Sequence, residues 1–141
     1  TIFEAEQQKK YLMDIQEITG KIQTALKSCS ESNGIESKEL RVKIYLKKGF
    51  ITNTVKCSLM RKTDVLGEVN LKDLLGLNPI QSPLVNTYLG NSLSKFASKE
   101  SITEDNVNGR FFTTSEDFTP RLYLYDGEAP VREIKIEELI N

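Results

Sequence analysis

The apolar positions of this chain change period near residue 38. Between Gln8 and Cys29, the residues Tyr11, Ile15, Ile18, Ile22, Ala25 and Cys29 recur at intervals of 4, 3, 4, 3 and 4, which sets them along one side of a helix. Gln, Lys and Glu fill the remaining faces. Leu12 and Leu26 flank the seam and widen the apolar stripe, a pattern that suits packing on a globular body or in a bundle better than a two-stranded coil. Gly20 interrupts the stretch, at about 1 kcal/mol relative to alanine. Residues 1–30 are therefore expected to form a helical arm that packs on its own domain or associates with a partner. Tyr11, Ile15, Ile18, Ile22 and Leu26 are its candidate contact residues.

Past a Ser/Glu-rich boundary containing the turn pair Asn33-Gly34, the period shortens to two. Leu40, Val42, Ile44 and Leu46 alternate with Arg41, Lys43, Tyr45 and Lys47, as in a strand with one buried and one polar face. Lys47-Lys48-Gly49 is expected to turn the chain, with Gly49 at positive φ. Phe50 to Met60 then continues as a second strand, and a short third strand is expected in Val65–Val69. Asn70 reads as the cap of a short helix that Gly76 ends. Leu77–Pro83 reads as a loop, Leu84–Phe96 as a helix, and Ala97–Gly109 as an irregular, mobile loop. Strands are expected again at Arg110–Thr114, Arg121–Tyr125 and Val131–Ile136, the last pair turning at Asp126-Gly127. One helical turn is expected to close the chain. Strands grouped as hairpins with short helices between them predict an α+β domain of antiparallel pairs over 38–141, rather than an alternating parallel sheet.

Composition narrows the chemistry. The sequence has 141 residues, no histidine, no tryptophan and two cysteines. Without histidine there is no Ser-His-Asp or Cys-His pair and no histidine metal ligand. The glycines stand singly at element ends, so no phosphate-cradling loop is present. Glu104-Asp105 and Glu116-Asp117 are adjacent acidic pairs without EF-hand spacing. No catalytic residue, metal ligand, cofactor or small-molecule substrate is therefore expected. Cys29 and Cys57 lie far apart in no metal-ligand spacing and read as reduced thiols of an intracellular protein. No apolar run has the length to cross a bilayer, so no membrane partner is expected.

Charge is the remaining signal. The net charge is −1, but its distribution is uneven. Arg41, Lys43, Lys47, Lys48, Lys56, Arg61 and Lys62 fall between Leu40 and Thr63 with no acid among them. Strand alternation sends Arg41, Lys43, Lys47 and Lys56 to the same face as Tyr45. Acids predominate from Glu100 onward and offer internal or intersubunit neutralisation. The expected function is a non-enzymatic assembly or adaptor protein. It would bind a protein partner, or a second copy of itself, through the N-terminal helix and the basic hairpin face (Arg41, Lys43, Tyr45, Lys47, Lys48 and Lys56). The alternative is a nucleic-acid-binding accessory protein using the basic hairpin 41–62.

Overall fold

The computed structural model describes residues 15–113 and 115–140. Helix α1 (Ile15–Asn33) is followed by strands β1 (Leu40–Lys48), β2 (Asn53–Arg61) and β3 (Asp64–Val69). Two helices come next, α2 (Leu71–Leu75) and α3 (Gln81–Lys99), then strands β4 (Val107–Phe112), β5 (Arg121–Asp126) and β6 (Ala129–Ile134), and a last helical turn, α4 (Ile136–Ile140). The six strands form one sheet in the order β3-β2-β1-β4-β5-β6, and every neighbouring pair is antiparallel. Two three-stranded meanders thus meet through their first strands. This is the expected α+β architecture.

The alternation of β1 explains which face is covered. Leu40, Val42 and Ile44 are buried with Val55, Cys57 and Leu59 of β2, Phe111 of β4 and Leu122 and Leu124 of β5. All four described helices add their apolar side chains to this one cluster. In α1 the buried stripe runs Ile18, Ile22, Leu26, Ser30, at intervals of four, with Ile15, Ala25 and Cys29 half-buried beside it. The helix therefore shares the core of the sheet. Tyr11 and the beginning of the seam at Gln8 lie outside the described residues.

Three helices end in the same way. A residue in the left-handed region follows the last turn, and the next, apolar residue is buried while its N–H bonds back five positions. The pairs are Gly34 and Ile35 (to Ser30 O, 3.0 Å), Gly76 and Leu77 (to Lys72 O, 2.9 Å), and Ser101 and Ile102 (to Ala97 O, 2.8 Å). The third pair corrects the expected loop at Ala97–Gly109. Helix α3 runs on to Lys99, and β4 begins at Val107. The helix also begins earlier than expected, at Gln81. The Asn78 side-chain oxygen accepts from the N–H groups of Ile80 (3.0 Å) and Gln81 (2.8 Å), and Pro83 sits in the first turn, where its missing donor has no helical partner to lose.

The first hairpin turns two residues later than expected. Pairing of β1 and β2 ends at Lys48 opposite Asn53, and the Gly49 N–H donates to Thr52 O at 3.1 Å. Gly49 is not at positive φ. Its role is close approach, because a Cβ there would lie 2.3 Å from the Thr52 carbonyl oxygen. Phe50 and Ile51 therefore stand at the tip of the turn instead of inside a strand.

Candidate binding face of the sheet

The face of the sheet opposite this core is built by strand register. Lys43 lies opposite Ser58 on one side and Arg110 on the other, and Arg110 lies opposite Tyr123. The neighbouring row holds Lys56, Tyr45, Asn108 and Tyr125, and the row on the other side holds Met60, Arg41, Phe112 and Arg121. Cations and rings interleave across these strands. The Lys43 ammonium is 5.2 Å from the Tyr45 ring centre. The guanidiniums of Arg41 and Arg121 are 5.7 and 5.2 Å from that of Phe112, and Arg110 is 4.1 Å from that of Tyr125. Phe112, Tyr123 and Tyr125 are linked by tilted contacts of 6.3 and 5.9 Å between centres. Attraction of a cation to a ring is worth about 0.5–1 kcal/mol at exposed sites and more where water is excluded.

Arg110 belongs to the scaffold of this face. It is 3% exposed. Its Nε donates to Asn108 Oδ1 (3.0 Å), its Nη2 to Gly127 O (3.1 Å), and Glu128 approaches Nη2 at 3.0 Å. The Asn108 amide in turn donates to Asn106 O (2.9 Å) and Gly127 O (3.0 Å). Buried polar groups of this kind hold position because each has a partner. The network ties the turn between β5 and β6 to the middle of the sheet.

Most of the other cations are already paired. Lys56 meets Glu68 at 3.5 Å, Lys48 meets Glu104 at 3.5 Å, and Arg61 and Lys62 share Glu39 at 3.9 and 3.7 Å. Arg121 forms a two-bond pair with Glu133 (2.6 and 2.8 Å). That pair raises the Arg121 guanidinium above its ordinary pKa and holds the Glu133 carboxyl below its own. Among the described residues, Arg41, Lys43 and Lys47 have no carboxylate within ion-pair distance. Arg41 donates to the carbonyls of Lys38 (3.0 Å) and Leu40 (2.8 Å). Burial lowers its pKa; Tyr125 opposes that shift and Arg110 adds to it. The first strand thus carries a row of three cations with no carboxylate partner among the described residues.

The sequence-derived candidates divide accordingly. Arg41, Lys43, Tyr45, Lys47 and Lys56 share this face as expected. Lys48 is on the opposite parity of β1 and pairs with Glu104, which also accepts from Ser94 Oγ at 2.9 Å. Ile18, Ile22 and Leu26 are 4%, 1% and 0% exposed, so a partner reaches them only if α1 leaves the sheet. Ile15 is half-buried against the same core. Phe112, Arg110, Arg121, Tyr123 and Tyr125 were not among the candidates. The alternation of Tyr123 and Tyr125 within β5 was visible, but the place of all five beside Lys43 depends on the pairing of β1 with β4 and of β4 with β5, which no local pattern announces.

On the helical side, α1, α2 and Val69 of β3 enclose a mainly apolar groove of about 400 Å³ lined by Ala25, Cys29, Val69, Asp73 and Leu74. Lys21 crosses its edge to donate to Gly76 O at 3.3 Å. Both cysteines are free thiols; burial raises the Cys29 pKa and pushes that of Cys57 up to about 12. Among the described residues no three His, Cys, Asp or Glu side chains are grouped to hold a metal ion, and no helix is long and apolar enough to cross a membrane. Comparison with protein-family models, curated proteins and solved structures found no match.

Proposed function

We propose that this chain is a non-enzymatic adaptor that holds an acidic polypeptide segment of a partner against the cation-bearing face of its sheet, in a soluble, intracellular setting. The observation that carries the reading is the row Arg41, Lys43 and Lys47 along β1, uncompensated by any described carboxylate and set beside a floor of aromatic rings. Carboxylates arriving at this row would form charge-assisted hydrogen bonds and relieve the mutual repulsion of Arg41 and Arg110. Complementary charge of this kind mainly sets encounter rate and register. Two unbridged thiols support a reducing compartment. The helix contributes through the core it shares with the sheet, because its apolar stripe is already covered.

A nucleic-acid ligand is the second reading, since rings and cations on a sheet face also suit single strands. One observation ranks it behind the first. The rings of Tyr45, Phe112 and Tyr125 already carry this chain's own cations, at 4.1–5.7 Å for Arg110, Arg41, Arg121 and Lys43, which hinders base stacking.

The test is fluorescence anisotropy with labelled polyglutamate and labelled single-stranded oligonucleotides at low salt. Polyglutamate is expected to bind, and the double substitution Lys43→Glu, Lys47→Glu is expected to abolish binding without lowering the melting temperature. Binding of oligonucleotides alone, with a steep loss as salt rises, would replace the adaptor reading with the second one. Indifference of polyglutamate binding to the double substitution would remove the face from the proposal.

A further inference from the structure

The two most exposed large apolar side chains among the described residues are consecutive. Phe50 is 105% and Ile51 92% exposed, and both sit at the tip of the β1–β2 turn. The backbone fixes them there. Strand pairing stops at Lys48 opposite Asn53, the Gly49 N–H closes on Thr52 O, and only glycine fits at position 49. The tip is convex, and its base carries Lys47 and Lys48. Lys47 has no described carboxylate partner; Lys48 keeps an exposed contact with Glu104 at 3.5 Å, its side chain 61% exposed.

We propose that this tip is a membrane-surface anchor: Phe50 and Ile51 enter the headgroup–acyl boundary of an anionic bilayer while Lys47 and Lys48 meet its headgroups. A segment that touches a bilayer needs no spanning helix. Two arguments favour a lipid surface over a protein pocket. Two side chains offer on the order of 400 Å², about half of what one partner gives to a standard protein interface. A bilayer requires no matching shape and accepts a two-residue wedge. Charge supplies the second argument, because lysines at the base of an apolar tip are drawn to an anionic leaflet. The resulting contact is weak and reversible.

The absence of tryptophan gives a clean probe. In Phe50→Trp the single indole is expected to shift its emission to the blue on addition of phosphatidylcholine–phosphatidylserine vesicles, and much less with phosphatidylcholine alone. The unlabelled chain is expected to sediment with the mixed vesicles, and Phe50→Ser with Ile51→Ser is expected to lower that partition at least 10–100-fold, as follows from losing even one buried apolar side chain, with an unchanged thermal melt. An emission maximum that stays constant with mixed vesicles would overturn the proposal. So would a doubly substituted chain that sediments like the original, or a blue shift that appears without vesicles and grows with protein concentration, which would mark contact between protein molecules.

Discussion

Replacing Gly90 with alanine is expected to destabilise the protein, against the ordinary preference of helices. In a helix interior the change normally stabilises by up to about 1 kcal/mol. Here α3 crosses β2 at this residue. A Cβ on Gly90 would lie 2.4 Å from the Asn53 carbonyl oxygen, 2.7 Å from its carbon and 3.1 Å from Thr54 Cα, all of them backbone atoms. Real contacts begin about 3.0–3.4 Å apart, so helix and strand must separate by several tenths of an ångström. One turn earlier on α3, Asn86 is bonded to Val55 through both its amide atoms, receiving from the N–H at 2.9 Å and donating to the carbonyl at 3.2 Å. It occupies the edge of β2 that β3 has left, since β3 pairs only from Cys57 onward. The separation strains those bonds. Overpacking costs about 1–3 kcal/mol, and each weakened hydrogen bond about 1 kcal/mol, so the net loss after the helix gain is roughly 1–4 kcal/mol. For a chain of this length that corresponds to a fall in melting temperature of about 3–14 °C. Gly20 in α1 is the control: a Cβ there meets nothing within 4 Å, and Gly20→Ala is expected to raise stability by about 0.5–1 kcal/mol. Urea and thermal melts followed by circular dichroism measure both. A Gly90→Ala chain as stable as Gly20→Ala would refute the seating of α3 on β2.

Ser101 holds φ at 58°, where a residue with a side chain is strained by about 1–2 kcal/mol. Ser101→Gly is expected to recover about 0.5–1 kcal/mol in urea denaturation after the added freedom of the unfolded chain is subtracted; a loss would show that the Ser101 side chain stabilises that turn. Leu26 is fully buried, and Leu26→Ala is expected to cost about 2–5 kcal/mol; an unchanged melt would mean that α1 is a dispensable arm. Of the two thiols, half-buried Cys29 is expected to react with a disulfide reagent at mildly alkaline pH well before Cys57, which should react only once the chain unfolds. Because folding raises the Cys57 pKa from 9.0 to about 12, its contribution is fully present below pH 9 and is lost as pH rises toward 12, visible as a declining denaturation midpoint.

The strands with one apolar and one polar side were legible because alternation is a local property: β1 and β5 appear where Leu40–Leu46 and Leu122–Tyr125 place them. Asn70 and Gly76 announced α2 through cap chemistry, and the Asn70 side chain accepts from Lys72 N at 2.9 Å as that chemistry requires. The end of α3 was hidden because its left-handed residue is serine, with none of the signal a glycine gives. The strand expected from Arg110 is β4, but its start at Val107 was hidden because Asn108 and Arg110 are polar yet buried in a closed hydrogen-bond network, so Val107–Phe112 lacks the alternation expected of its burial. The apolar character of Phe50 and Ile51 pointed to a strand; the turn closed by Gly49 and Thr52 overrode it. Half of the candidate face was readable in the charges of β1. The other half, Phe112, Arg121, Tyr123 and Tyr125, joins it only through the long-range pairing of β1 with β4.

The proposed role of the cation-bearing face of the sheet is to receive an acidic polypeptide. Amide chemical-shift mapping during titration of the isotope-labelled chain with a polyglutamate peptide tests it most directly. Saturable shifts are expected at Lys43, Tyr45, Lys47, Arg110 and Tyr123, with Ala25, Val69 and Leu74 around the helical groove unmoved. Shifts confined to that groove, or a spectrum that does not change, would contradict it.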